Sequence, residues 1–431
     1  MTGTADETAI TVTELERLKN YYRHYVDIEN VNYYRKGGYH PVHIGDIIHN
    51  RYRVVNKLGY GGYSTVWLVK DLDMGRYASL KVIVADASKN ASEVTLLRHL
   101  KEIQTNLPDI PGGEFVMKVF DDFIVDGPNG THQCIVTEVL GLPLDPNPLE
   151  VKEHIYPIDM AKKMVAQIAQ GVAYLHRIGI VHGDLHIKNI VLHAPEMENL
   201  SDQDVQKYFD RPWLERPECR EEYSKLAISD PDHRVPQHVV YAGLSNELVA
   251  LLFDTVHIKI CDFGEAFLWH GVPRQIELHT PNAHAAPEIL FGDPVTPAVD
   301  IWSMAVLAHL ILSGVYMFEP PGGGSVEFEW VLKLGKMPDR WWPRWIERGI
   351  SFDDDGVYIA GEFPMDVMER ESALMTGSIG RRMREDEVIE FEQLVRRMVC
   401  YEVEDRISAD GVVQSIPADW IKGGKEHWRR I

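Results

Sequence analysis

Two short stretches decide how this chain folds: His182-Gly183-Asp184-Leu185-His186-Ile187-Lys188-Asn189 and, after a long interval, Asp262-Phe263-Gly264. Each adjoins an apolar run. The first ends a helix–turn and precedes Ile190–Leu192; the second follows Ile258–Cys261. Short apolar runs bounded by turn residues read as buried strands. A hairpin connection needs about 2–5 residues, so the much longer interval reads as an insertion, at about 193–256. Its middle is acidic and carries prolines, with a helix predicted at Asp202–Phe209 and a strand near His238–Tyr241. None of its content reads as chemistry.

Working towards the N-terminus, the pattern is strand-like. Tyr52–Leu58, Thr65–Lys70 and Tyr77–Val84 are rich in Val, Ile and aromatic residues, with Gly- and Asp-containing turns between them. A helix follows, with Val94, Leu97, Leu100 and Ile103 on one face. Two further strands are predicted at Val116–Val125 and Gln133–Val139. From Asp159, a candidate N-cap, the spacing of Met160, Met164, Ile168, Val172 and Leu175 predicts a helix. Towards the C-terminus the chain is mostly helical. A β-rich part followed by a helix-rich part is an α+β arrangement of two lobes. The boundaries expected are a polar, partly disordered tail at 1–32 with a short helix capped by Thr13, a first lobe at 33–140, a second at 141–420 containing the insertion, and a tail at 421–431.

At 431 residues the chain is long enough for two packed lobes. Its 44 Lys and Arg against 65 Asp and Glu give a net charge of −21, which repels nucleic-acid phosphates and anionic membranes and favours a basic partner. The same charge serves solubility. Cys134, Cys219, Cys261 and Cys400 are scattered without a Cys-x-x-Cys pair, which suits a reducing compartment. The N-terminal residues carry no apolar signal segment. Ile301–Val315, the longest apolar stretch, is interrupted by Ser303, His309 and Ser313 and reads as a buried helix rather than a membrane span. The expected compartment is the cytoplasm or the nucleus.

Phosphoryl transfer needs a cradle for phosphates, a metal site and a base that orients the attacking hydroxyl. Leu58-Gly59-Tyr60-Gly61-Gly62-Tyr63-Ser64-Thr65-Val66 can supply the cradle, because glycines let backbone approach phosphate oxygens closely. Lys81, in Ala78-Ser79-Leu80-Lys81, lies among apolar strand residues, where a ligand to the α- and β-phosphates is a better account than a solvated charge. Its partner is Glu93 on the next helix; the alternative is a capping box between Asn90 and Glu93. Asp184 is placed to take the hydroxyl proton, and Asn189 and Asp262 offer the hard oxygen ligands that Mg²⁺ prefers. His176, His182 and His186 lack the spacing of a zinc site, and His182 reads as a packed residue that holds the loop. Further on stand Ala286-Pro287-Glu288 and Asp300-Ile301-Trp302-Ser303. Glu288 can form a buried ion pair with Arg406, expected in a late helix. Asp300 is either a helix N-cap or the group that holds the loop backbone.

Six motifs in this order resemble the eukaryotic protein kinase superfamily over residues 51 to 420. The resemblance implies a bilobal α+β fold, ATP and Mg²⁺ as cofactors, and protein substrates. More narrowly the chain is similar to the SR-protein kinases, in a fungal-like variant. That likeness rests on Tyr33-Tyr34-Arg35-Lys36-Gly37-Gly38-Tyr39-His40-Pro41-Val42-His43-Ile44-Gly45-Asp46, on Arg51-Tyr52 and Lys57-Leu58-Gly59, and on Ser64-Thr65-Val66-Trp67-Leu68. In that family, too, serine stands at the third glycine position. The resemblance adds Ser79 to the nucleotide-binding residues, makes Thr137 the gatekeeper, and has Glu138-Val139-Leu140 contact the adenine. It implies action on basic, arginine/serine-rich splicing factors; a monomer is the expected state.

Three departures qualify it. Gly183 replaces the arginine that reads an activation-segment phosphate, and Thr280 is the one hydroxyl residue between Asp262 and Glu288; activity without activation-loop phosphorylation is the expectation. His186 stands where serine/threonine kinases carry a lysine, and Lys188 is either a displaced replacement for its charge or an exposed side chain. Pro281 and His284 replace the threonine and tyrosine that usually precede Ala286-Pro287-Glu288, and the family's acidic docking sequence is thin, with Glu327 and Glu329 as candidates. Two rivals remain. The loop also resembles that of aminoglycoside and choline kinases, which lack the Ala-Pro-Glu segment and the Asp300-x-Trp helix; and a non-catalytic pseudokinase scaffold would account for His186 and Pro281.

Overall fold

The computed structural model describes residues 21–89, 92–144, 156–221, 234–318, 324–359 and 383–422. The helix expected from Thr13, the Asn90 cap and the C-terminal tail beyond 422 lie outside the described residues. The chain forms two compact units that alternate along the sequence: residues 1–91, 120–139 and 199–245 in one, and 92–119, 140–198 and 246–431 in the other.

The first unit is built on a six-stranded sheet in the order β1-β2-β3-β4-β6-β5. Its strands are β1 (Ile47–Ile48), β2 (Tyr52–Gly61), β3 (Ser64–Asp71), β4 (Arg76–Ile83), β5 (Val119–Gly127) and β6 (Gly130–Thr137). The three strands predicted first are present, each slightly longer or shifted; the last two start three residues away from their predicted positions. Side chains alternate across a sheet with a period of two. Trp67, Val69, Ala78, Leu80, Val82, Cys134 and Val136 therefore share one face, where they form a core cluster with Tyr52 and Val54.

Two segments expected elsewhere join this unit. Residues 21–32, read as part of a polar tail, are packed: Tyr21, Ile28 and Val31 are buried, and the last two cluster with Val239. The middle of the insertion also belongs here. Its helix, Asp202–Tyr208, is capped by Ser201 in a capping box. Asp202 accepts from the Tyr77 hydroxyl at 2.8 Å and from Lys70, and Asn56 Nδ2 donates to the Asp210 carbonyl at 2.7 Å. The strand Val239–Tyr241 pairs with Trp213–Glu215, and Val240 enters the sheet's core cluster.

The second unit is mostly helical. Its long helix, Ile158–Arg177, starts after Pro157, which makes no side-chain cap. The expected cap, Asp159, instead sits in the first turn, where its charge complements the helix dipole. The helix Ala298–Ser313 is buried on every side, as a helix apolar all round must be. Two of its serines find carbonyls: Ser303 Oγ donates to that of His284 at 2.8 Å and Ser313 Oγ to that of Val315 at 3.0 Å. Two short antiparallel pairs frame the motifs. Ile190–His193 pairs with His257–Ile260, and Ile180–Val181 with Phe267–Leu268. Among the described residues no helix is long and apolar enough to cross a membrane.

Candidate active site

The hairpin Ile190–His193/His257–Ile260 brings the two deciding stretches side by side despite the long interval between them. Asn189 precedes the first strand and its carbonyl accepts the Cys261 N–H at 2.9 Å; Asp262 follows the second. The loop itself is held from beneath by Asp300. Its buried carboxylate accepts the His182 N–H and the Gly183 N–H, both at 2.8 Å, and lies 2.9 Å from His176 Nε2. Burial alone would raise the Asp300 carboxyl, but the His176 bond, the neighbouring His charges and the Gly183 N–H outweigh it and hold the group below its ordinary range. Of the two roles left open for Asp300, the distances select the loop support.

His182 is fully buried, with Nε2 3.1 Å from the Cys261 carbonyl and its ring against Phe263. Gly183 has φ +76°, and a Cβ there would meet the Glu265 carbonyl oxygen at 2.8 Å. Left-handed backbone and close approach together require glycine. The Gly183 carbonyl accepts from Thr280 Oγ1 at 2.6 Å, and Thr280 is buried.

At the reacting end, Asn189 Nδ2 donates to the Asp184 carbonyl at 2.9 Å and to Asp184 Oδ2 at 3.1 Å. His186 caps the short 3₁₀ turn Ile187–Asn189 by accepting the Lys188 N–H on Nδ1 at 3.2 Å. An Nδ1 that accepts leaves the proton of the neutral ring on Nε2, and Nε2 lies 3.4 Å from Asp184 Oδ2. Asp184 Oδ1 is buried and has no protein partner. Oδ2 is thus occupied, while no protein group donates to Oδ1. Lys188 is exposed. Downstream, Glu288 and Arg406 form the expected buried pair, bidentate at 2.6 and 2.8 Å. Arg406 lies in the connection between the helices Glu385–Met398 and Ala409–Ser415 rather than within a helix. His284 is buried; burial first, then the nearby His186, lowers its pKa to about 4.

In the first unit, strand register collects several predicted nucleotide ligands. Val66, Lys81 and Ile135 are directly paired across β3, β4 and β6, as are Leu68, Ser79 and Thr137. By alternation Val66, Ser79, Lys81 and Thr137 share the face opposite the core cluster. Leu58 through Ser64 form the end of β2, a tight turn at Gly62-Tyr63 and the start of β3. A Cβ at Gly59, Gly61 or Gly62 would meet nothing within 4 Å, so the space a close ligand needs is open there. Glu138 is buried and Leu140 half-buried. Glu93 is half-buried in the first turn of the helix Ser92–Asn106 and falls in the second unit, with Leu140, Asp184, Lys188, Asn189 and Asp262. Sequence reasoning did not assign Thr280 or His186 their contacts; for His186 the signal was its place two residues after Asp184.

Loop, support and paired strands hold in place the motifs on which the sequence resemblance rests. The protein kinase domain model matches residues 52–223 and 237–417, and the chain belongs to that family. It is 28% identical over 393 residues to a serine/threonine protein kinase of Aspergillus fumigatus, covering 89% of this chain and 88% of the relative. Identity is 32% over 311 residues to the serine/threonine-protein kinase SRPK of Physarum polycephalum, 69% of each chain. With human SRSF protein kinase 3 it is 39% over 160 residues, 37% of this chain and 28% of the relative. The chain is a serine/threonine protein kinase. Membership implies ATP and a divalent metal ion, and the open cradle and hard-oxygen donors described above fit both.

Proposed function

We propose that this kinase phosphorylates basic, arginine/serine-rich proteins as a monomer, and that it needs no phosphate on its own activation segment. One observation carries the chemistry: Asp184 Oδ1 is buried and unpartnered while Oδ2 is held by Asn189 and faced by His186. A substrate hydroxyl donating to Oδ1 would be oriented for attack and relieved of its proton. Asn189 Nδ2 is committed to Asp184, which leaves the amide oxygen, with the Asp262 carboxylate, to hold Mg²⁺. The metal, when bound, neutralises phosphate charge. Lys81, in the first unit, would hold the α- and β-phosphates, with Glu93 as the charge partner expected for it. Lys188 supplies the positive charge that serine/threonine kinases carry on a lysine at the position of His186.

Thr280, the one hydroxyl of the activation segment, is buried against the catalytic loop and donates its hydrogen bond there. Gly183 has no side chain to read a phosphate. Both favour an unswitched enzyme. The substrate class is supported by the net charge of −21 and by the names of the SRPK and SRSF kinase relatives; it implies a setting in mRNA processing, in the nucleus or cytoplasm. Of the acidic candidates for docking, Glu329 is buried and paired with Lys333 at 3.2 Å, which leaves Glu327. The test is Mg²⁺/ATP labelling of a serine/arginine peptide beside a neutral peptide, with phosphatase-treated enzyme and Asp184→Asn as blank. Preferential labelling of the basic peptide, undiminished by phosphatase, is expected. Labelling no greater than the blank would overturn the catalytic reading, and loss on phosphatase treatment the unswitched one. Lys188→Ala should lower kcat about tenfold with ATP binding intact; an unchanged kcat removes Lys188 from the mechanism.

A further inference from the structure

The glycine hairpin is gripped from behind by a segment that precedes the matched kinase domain. Tyr39 Oη donates to the Gly61 carbonyl at 2.7 Å and lies 3.4 Å from the Gly62 carbonyl. Tyr39 is itself fixed. Its carbonyl accepts from buried Asn129 Nδ2 at 2.7 Å, its N–H donates to the Tyr33 carbonyl at 3.0 Å, and its ring packs with Tyr34 and Val84. The Gly37 and Gly38 carbonyls accept the Asp86 and Ala85 N–H groups at 2.8 and 3.1 Å. The segment therefore lies along the chain as it leaves β4, the strand that carries Lys81. Its two glycines are required by space: a Cβ on Gly38 would fall 1.8 Å from the Tyr33 carbonyl oxygen, and Gly37 has φ +86° beside Asp86. A second attachment lies on β2 itself. Lys57, the residue before Leu58, is buried against Glu29, which also accepts from the Tyr34 hydroxyl.

A trans peptide group is planar, so its N–H points away from the carbonyl it shares the plane with. Holding the Gly61 carbonyl fixes the direction of the Gly62 N–H, and holding that of Gly62 fixes the Tyr63 N–H. Both N–H groups are then turned away from Tyr39. The hairpin pairing of Gly61 with Ser64 and the bond from the Val84 N–H to the Tyr63 carbonyl hold the turn at its two ends; between them, glycines have little steric preference of their own, and the tyrosine hydroxyl narrows the orientations open to these two peptide planes. We propose that Tyr39 is a positioning residue for the nucleotide: its hydroxyl presets the Gly62 and Tyr63 N–H groups to donate to the phosphate oxygens of ATP. This rests on reading the hairpin as the phosphate cradle. Oriented backbone N–H groups are a recurrent anion site, and preorganisation lowers the cost of binding.

Tyr39→Phe removes the hydroxyl and keeps the ring that packs. Tyr241→Phe, which loses a 2.7 Å bond to Glu215 in the same unit, is the control. Steady-state kinetics on the full chain, calorimetric affinities for ATP and adenosine, and melting temperatures are compared. In Tyr39→Phe the KM and Kd for ATP should rise about three- to tenfold, the net worth of one hydrogen bond, with adenosine affinity, kcat and melting temperature held near wild type. An unchanged ATP affinity overturns the proposal. So does an equal loss of ATP and adenosine with a lowered melting point, which would make the bond a fold contact only. Wild-type protein that binds adenosine but gains nothing from the phosphates would instead fail the cradle reading, and the proposal with it.

Discussion

Two buried ion pairs, one in each unit, hold the two functional loops, and they do it with different cations. Glu288–Arg406 anchors the end of the activation segment; Glu29–Lys57 anchors the strand leading into the glycine hairpin. All four side chains are within 2% of full burial. Arg406 spreads its charge over both Glu288 oxygens and also donates to the Cys400 and Ala298 carbonyls. A guanidinium does not give up its proton in a protein, so the cation of this pair is permanent. Lys57 is a point charge. Burial pulls its pKa down and Glu29 only partly restores it, while Tyr60 and Trp67 present their ring faces to the ammonium. The activation segment is thus held unconditionally, the nucleotide hairpin by a bond that protons can edit.

Substitutions can break or sharpen this contrast. The largest effect is expected from Glu288→Gln, which strands a charged guanidinium in the interior: about 3–5 kcal/mol of stability lost in urea unfolding, equally at pH 7 and pH 9. Glu29→Gln should cost less, about 1–3 kcal/mol, because Lys57 can shed its proton and survive as an under-bonded amine. The sign of its pH dependence follows. With the folded pKa of Lys57 below 10.5, the unfolded chain binds a proton the native state lacks, so stability rises as pH rises towards the unfolded pKa. The urea midpoint of Glu29→Gln should therefore recover between pH 7 and pH 9; matching pH profiles for the two variants would erase the distinction. Replacing the second network outright, Glu29→Leu with Lys57→Met and Tyr34→Phe so that no buried donor is stranded, should leave stability within about 1 kcal/mol of wild type, and a triple variant as damaged as the single would show that packing, not charge, is at stake. The smallest effect belongs to Thr280→Val, about 0.5–1.5 kcal/mol with kinase activity retained; lost activity in a folded variant would give Thr280 a role beyond anchoring.

The same contrast shows what could be read from the chain in advance. Glu288 and Arg406 were legible because Ala286-Pro287-Glu288 stands in a recognisable order with the other motifs. Glu29 and Lys57 were not, although the reasoning that singled out Lys81, a lysine among apolar strand residues, applies equally to Lys57. Local periodicity carried the strands and the long helices, since burial on one face imprints a period of 2 or 3.6. It carries no trace of contacts such as Asp202 with Tyr77 or Asn56 with Asp210, which join residues more than a hundred positions apart. Residues 21–32 looked polar because their few apolar side chains, Ile28 and Val31 among them, complete their cluster with Val239, far away in the insertion. Asp300 had two sequence-compatible roles, and only distances to His182 and Gly183 decide between them.

Gly183 has a consequence for how this enzyme can change over evolutionary time. An arginine in place of a glycine is a single-codon change on paper. Here the left-handed backbone and the Glu265 carbonyl 2.8 Å from where a Cβ would sit bar any side chain at that position, while Asp300 and Thr280 tie down both its N–H and its carbonyl. That substitution would have to be preceded by movement of the Glu265 backbone, a change with no benefit of its own. The loop behaves as a ratchet: an arginine at this position is not reached by a single step.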